Sequence, residues 1–211
     1  MVLAANPTDA AAASSVELTG WYIGFCISVV SKLRLRDHDG PVPSSGQVHM
    51  RIVRRSELVE MPWKKGGGIT RDVALEMLEG TLLWRLSMAD AGVDGPFSSF
   101  AGLTRILTVV QGDGMILRGP DGELRADYAQ PVVFDGNAPI QAELTQGPLR
   151  DFNLIYDTER CKADANVIHG PADATYDEQG MTFVVHCIAG TARLDAAHRL
   201  DAGDTSALVC R

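Results

Sequence analysis

From Met50 onward, apolar and polar residues alternate in short runs that Gly, Pro and Asp interrupt about every ten residues. No window of roughly eleven residues carries an apolar stripe at the helical period. This pattern predicts an all-β chain folded as a sandwich or closed barrel. The clearest hairpin joins ITRDVALEM to TLLWRLSMAD through Glu79-Gly80. A two-residue loop there pairs Leu78 with Thr81 and sets Asp72 opposite Ser87. One face then carries Val73, Leu75, Met77, Leu82, Trp84, Leu86 and Met88, and the other Thr70, Asp72, Ala74, Arg85, Ser87 and Ala89. A slip of one residue exchanges the two faces, so their clean sorting supports the register. Further strands are expected at TRILTVVQ, GMILRG, PVVFDG, PIQAELTQ, LRDFNLIY, MTFVVHCIAG, TARLDA and DTSALVC. The run TVVQGDGMIL with its downstream PVVFDG is echoed by FVVHCIAGTARL with LDAGDTSALV, which suggests two copies of one small barrel motif.

The segment before Met50 has a different character. Residues 1–20 are rich in Ala, Ser and Thr, 21–30 read WYIGFCISVV, and 37–49 are rich in Gly, Pro, Ser and His. The apolar run is about half the length of a membrane-spanning helix. Its basic residues Lys32, Arg34 and Arg36 follow it, whereas a secretory signal carries them in front. Residues 1–49 are therefore expected to be a disordered or loosely docked leader, or an over-called start ahead of Met50, with one domain over 50–211.

Composition narrows the function classes. The 211 residues are 45% hydrophobic and 22% charged, enough for a real core, and the net charge is −8 with no basic block. The charge balance therefore argues against nucleic acid and anionic membrane as partners. Cys26, Cys161, Cys187 and Cys210 are scattered without a C-x-x-C pair, as expected of apolar thiols in a reducing cytosol.

Four segments carry candidate chemistry. In MPWKKGGGITR, three successive glycines can wrap an anion or serve as a flexible link into the hairpin, and no GK[ST] follows to make a nucleotide loop. In Trp84-Arg85-Leu86-Ser87, Arg85 and Ser87 share a face of small residues. A guanidinium there can hold a carboxylate, or simply pair diagonally with Asp72. Arg105 alternates with Leu103, Leu107 and Val109, so if it points inward it needs a partner or an anion, and otherwise it sits at a wet rim. Asp151 and Asn153 share one face, with Phe152 and Leu154 on the other, which suits either a turn-edge hydrogen-bond network or a ligand-binding edge. His169, His186 and His198 stand apart without an H-x-H pair, so turn or core roles and a metal-free site without cofactor are expected. No G-x-S-x-G nucleophile elbow occurs.

Taken together, MPWKKGGGITRDVA, LWRLSMADAGVDGPFSSFAGLTRILTVVQG and LRDFNLIYD resemble the HutD/Ves family, in matching order over nearly all of residues 50–211. The resemblance implies a double cupin-like (bicupin) barrel with short helical turns, bacterial cytoplasmic residence and, for HutD members, an association with histidine catabolism. It implies a urocanate- or formylglutamate-like acid as ligand. Lys65 stands where the family usually has Asn. Carried over by motif, the candidate ligand-binding residues are Lys64, Thr70, Arg71, Arg85, Ser87, Phe97, Ser98, Arg105, Asp151 and Asn153. Arg85 and Arg105 are expected to face a carboxylate that Ser87, Ser98 and Asn153 orient. Three functions follow: a metabolite-binding accessory or regulatory protein, an enzyme on a small acyl amino acid with Asp151 as general base, or a stress-related structural or interaction module. Sheet edges and outer faces also allow a homodimer.

Overall fold

The alternating runs form strands throughout the computed structural model, which describes residues 27–35, 48–64, 66–169, 181–194 and 197–210. In chain order these are β1 (Ile27–Leu35), β2 (Val48–Val53), β3 (Met61–Pro62), β4 (Gly68–Leu78), β5 (Thr81–Ala91), β6 (Gly95–Pro96), β7 (Leu103–Gln111), β8 (Gly114–Gly119) and β9 (Gly122–Asp127). There follow β10 (Val132–Asp135), β11 (Gln141–Leu144), β12 (Leu149–Asp157), β13 (Cys161–His169), β14 (Met181–Ala189), β15 (Thr191–Arg193), β16 (Arg199–Asp201) and β17 (Thr205–Cys210). One short helical turn, Arg55–Glu57, lies between β2 and β3. Among the described residues no helix is long and apolar enough to cross a membrane.

The six-stranded sheet β10-β7-β12-β5-β4-β3 is the middle layer, and its central strands β7, β12 and β5 are largely buried on both faces. Period-two alternation divides them. Leu107, Val109, Ala91 and Leu149 pack against Met115, Leu117, Ala126 and Ala142 of the four-stranded sheet β6-β11-β8-β9, closing a first barrel. Leu86, Met88, Ile106, Phe152, Leu154 and Tyr156 turn the other way, onto Val53, Ala163, Val184 and Ala207 of the five-stranded sheet β13-β1-β14-β17-β2. Strand β14 is buried on both faces, with Val184 and His186 toward the middle layer and Phe183, Val185 and Cys187 away from it. The small sheet β15-β16 packs against β14 and contributes buried Ala192 and Leu200. The fold is thus the expected all-β, cupin-like pair of barrels.

Part of the expected leader is sheet. Ile27–Leu35 pair with β13 on one side and β14 on the other, and β2 already begins at Val48. ISVVSKLRL alternates apolar with polar residues at both ends, Ile27-Ser28-Val29 and Lys32-Leu33-Arg34-Leu35, a signal hidden when its start is read as the end of the run WYIGFCISVV. Residues 1–26 and 36–47 of that segment lie outside the described residues.

The hairpin has the expected register at both anchor points, Leu78 opposite Thr81 and Asp72 opposite Ser87. Between them it departs from simple alternation. The register shifts between Asp72 and Ala74 and again between Glu76 and Met77. An extra residue on one strand turns everything beyond it to the other face. Ala74 therefore faces Leu86 and packs on the inter-barrel core, while Leu75 comes opposite Arg85 and is 51% exposed. Met77 is likewise half-exposed, so neither joins the apolar face expected of it.

Glu79 and Gly80 both have positive φ, 51° and 80°, as a type I′ turn requires. A left-handed conformation is unfavourable for Glu and tolerated by Asn. Glu79→Asn is therefore expected to stabilise the protein by about 0.5–1 kcal/mol, read as a higher urea midpoint with unchanged slope.

Candidate functional site

Strands β5, β12 and β7 lie side by side and set the candidate residues in rows. Ile155 pairs with Arg85 on one side and Arg105 on the other, so the two arginines share a face about 10 Å apart, two strand spacings. The next row is Ser87, Asn153 and Leu107, and the one after it Ala89, Asp151 and Val109. This face looks into the first barrel, toward Met115 and Leu117.

Arg105 is only 6% exposed. Its guanidinium carbon lies 4.5 Å from the ring centre of Phe97, 5.2 Å from that of Phe134 and 5.6 Å from that of Phe100. Phe134 is there because β10 pairs it directly with Arg105. Phe97 and Phe100 come from the β6–β7 connection, pinned by backbone bonds from Phe97 N–H to Ile140 O and from Phe100 N–H to Gly136 O. Such a cage favours a cation electrostatically and offers it no hydrogen-bond acceptor of its own. Nη2 donates to Asn153 Oδ1 at 2.6 Å, while the buried Nε has no partner. Burial lowers the Arg105 pKa to about 10, with the nearby Arg85 adding to the effect and Asp151 opposing it.

Asn153 also donates through Nδ2 to Asp151 Oδ1, so one amide joins the buried carboxyl to the buried guanidinium. Asp151 is 2% exposed. Burial raises its pKa to about 7, against the pull of Arg105 and of the Asn153 bond. Arg85 is less isolated: its Nε donates to Asp72 Oδ1 at 2.7 Å, the diagonal pairing anticipated as its alternative role. Ser87 is buried beside it at 3% exposure.

The other candidates disperse. Arg71 sits opposite Met88, hence on the inter-barrel face, where it binds Asp90 at 2.8 Å and Glu60 at 2.5 Å. Asp90 also holds Arg150 through both its oxygens, so Arg71 belongs to a charged network at the rim between the barrels. Thr70 Oγ1 accepts from Trp63 Nε1 at 2.8 Å, and Lys64 and Ser98 are exposed. Lys65 lies outside the described residues. The glycine loop is used for close packing: a Cβ on Gly68 would come within 2.6 Å of the Trp63 ring, and one on Gly67 within 2.5 Å of Val93. Gly66 N–H donates to Trp63 O at 2.9 Å and Trp63 N–H to Gly68 O at 3.0 Å, which ties the loop to Trp63.

Phe100 and Phe134 are site residues that motif reading misses. Phe134 was reachable only by knowing that β10 lies next to β7, a pairing that spans the intervening β8–β9 hairpin. Two further features lie apart from Arg105. An open cleft of about 750 Å³ is lined by Arg54, Arg55, Ser56, Arg199, Asp201 and Asp204, but Arg54 and Arg199 are engaged with Asp204 and Asp201. His186 stacks on Phe152 with centroids 4.7 Å apart and shares a hydrogen bond of 2.9 Å between Nδ1 and Thr205 Oγ1, the core role expected of it. Among the described residues no group of three or more His, Cys, Asp or Glu is placed to hold a metal ion.

Comparison with known proteins adds to this geometry. A model of the HutD family matches residues 55–210. The chain is 41% identical over 118 residues to a Pseudomonas putida protein named "Uncharacterized 21.2 kDa protein in hutC 3'region", covering 54% of this chain and 62% of that one. It is 33% identical over 117 residues to protein Ves of Cronobacter sakazakii, again covering 54% and 62%. The matches thus span about three fifths of the length of these relatives. HutD from Pseudomonas fluorescens SBW25, solved in a formate condition, is 34% identical with a TM-score of 0.68, covering 77% of this chain and 88% of that one. Protein Ylba of E. coli, 8% identical with a TM-score of 0.51 over 80% of this chain and 87% of that one, shares the fold alone.

Proposed function

The chain belongs to the HutD family, and from that premise we propose that its first barrel binds a small carboxylate metabolite, without a metal, in an accessory or regulatory role in histidine catabolism. The observation that carries this reading is Arg105: a buried guanidinium with an unpartnered Nε, bonded to Asn153 and caged by three phenylalanines. A buried cation in apolar surroundings is costly unless an anion joins it, and a carboxylate fits the guanidinium edge bidentately. Phe97 and Phe100, both partly exposed, would cover the apolar part of the ligand. A urocanate- or formylglutamate-like acid has that combination. The relative in the hutC 3′ region supports the link to histidine utilisation, and through it a cytoplasmic place of action.

Calorimetric titration with urocanate, N-formylglutamate and glutamate tests the reading. At least one is expected to give saturable heat and, at about 100 times its Kd, to add about 2.7 kcal/mol of stability. That corresponds to a rise in Tm of roughly 5–10 °C. Neither heat nor a Tm shift with any of the three would remove the proposal.

The carboxyl of Asp151, pushed up to about 7 beside Arg105, favours one second reading. A base poised near neutrality next to a guanidinium suits hydrolysis of a small acyl amino acid. Release of formate from N-formylglutamate by the purified protein would establish it, and its absence would leave binding alone.

A further inference from the structure

The buried face of the first barrel holds two opposite charges that do not touch. Asp151 accepts a hydrogen bond from Asn153, and Asn153 in turn accepts from Arg105, so an amide stands between carboxyl and guanidinium. The charged groups around Asp151 are few. On β7 there is Arg105, and on β5 there are Arg85, bound to Asp72 of β4, and Asp90, which lies on the opposite face and is bound to Arg71 and Arg150. The four-stranded sheet presents Met115, Leu117, Ala126 and Ala142 to this space, and β10 presents Val132 and Phe134, none of them ionisable.

A ligand carboxylate seated on Arg105 Nε would be a second anion in a space built for one. Two carboxylates that share a single buried cation cannot both stay ionised cheaply, and the one that can accept a proton does so. Resting on the carboxylate-binding reading above, we propose that binding is proton-linked: Asp151 takes up one proton as the ligand anion settles against Arg105, so that the site exchanges its internal counter-ion for an external one. Asn153 is the positioning residue of this exchange, since its amide contacts both partners. The carboxyl of Asp151 lies near neutrality before any ligand arrives, which puts the exchange within the physiological range. The consequence is a metabolite sensor that also reads pH, holding its ligand more tightly as the cell acidifies.

The test uses the full-length protein with formate and N-formylglutamate as probes, both fully ionised from about pH 6 to about pH 8.5. Calorimetry at about pH 8 in phosphate and in Tris, which differ in ionisation enthalpy, is expected to give different apparent heats equivalent to up to one proton taken up per probe bound. The dissociation constant should rise by up to about tenfold per pH unit above about pH 7 and level off below it. Asp151→Asn should bind with one affinity across the range and show no buffer dependence. Binding that Arg105→Met abolishes, yet that shows no buffer dependence in the native protein, would overturn the linkage and leave the site intact. Proton uptake that persists in Asp151→Asn would likewise overturn it by assigning the proton to another group. If neither probe binds at any pH, the site reading fails and the linkage with it.

Discussion

Arg105→Met is expected to abolish carboxylate binding, lowering affinity by at least about a hundredfold, which corresponds to about 3 kcal/mol. Methionine keeps roughly the length of the side chain and makes favourable contacts with aromatic rings, so Phe97, Phe100 and Phe134 have something to close on. The change removes a charge whose burial is already costly, as its lowered pKa of about 10 records. Loss of fold stability should therefore be modest. The carboxyl of Asp151, deprived of the cation that restrains it, should titrate above its present value of about 7. Arg85→Met is the informative control. Arg85 is already paired with Asp72 and its side chain is 20% exposed, so its loss should cost about fivefold in affinity, or about 1 kcal/mol. Titration calorimetry on both variants, with urea unfolding to verify folding, checks the ranking. A folded Arg105→Met protein that still binds with native affinity would place the ligand elsewhere.

That ranking of the two arginines was not available from the sequence, and the reason is physical. Alternation told which residues share a strand face, Arg85 with Ser87 and Arg105 with Leu107 and Val109, but left open whether those faces turn inward, as both do here. The common row through Ile155 depends on β12 lying between β5 and β7, and strand order is a long-range property that periodicity does not encode. The same limit hid Phe134, which meets Arg105 only through the β10–β7 pairing. Local turn chemistry was more legible: Glu79-Gly80 fixed the hairpin register because a two-residue loop admits few geometries. The bulges beyond it were not legible, since either frame of VALEML offers apolar residues to the core, and Leu75 was misplaced as a result. Arg71 illustrates the motif problem. It shares a motif with Thr70, but neighbours on a strand point to opposite faces, and its own face leads to Asp90 and Glu60 instead of Arg105.

The other large effect belongs to the layer between the barrels. Phe152→Ala is expected to cost about 3–5 kcal/mol, since Phe152 is 2% exposed at the centre of the inter-barrel core and its truncation leaves a cavity that two sheets cannot close. The ring also covers His186, stacked on it at 4.7 Å. Burial lowers the His186 pKa from 6.5 to about 4, helped by Arg150 and opposed by Asp204. Between those values the unfolded chain binds a proton that the folded one refuses, so this group's contribution is lost as pH falls from about 6.5 toward about 4. Asp151 works in the opposite sense: its raised pKa makes stability fall as pH rises from about 4 to about 7. The two slopes partly cancel in the native protein, which makes the difference between variant and native the informative curve. Asp151 points into the other barrel and drops out of that difference. Once Phe152 is truncated, water reaches the imidazole and its pKa returns toward the ordinary histidine value, so the variant loses less on acidification than the native protein does. Urea unfolding should then show a smaller destabilisation at about pH 5 than at about pH 7.5, by about 1 kcal/mol. Equal losses at the two pH values would mean that the phenylalanine does not keep His186 dry.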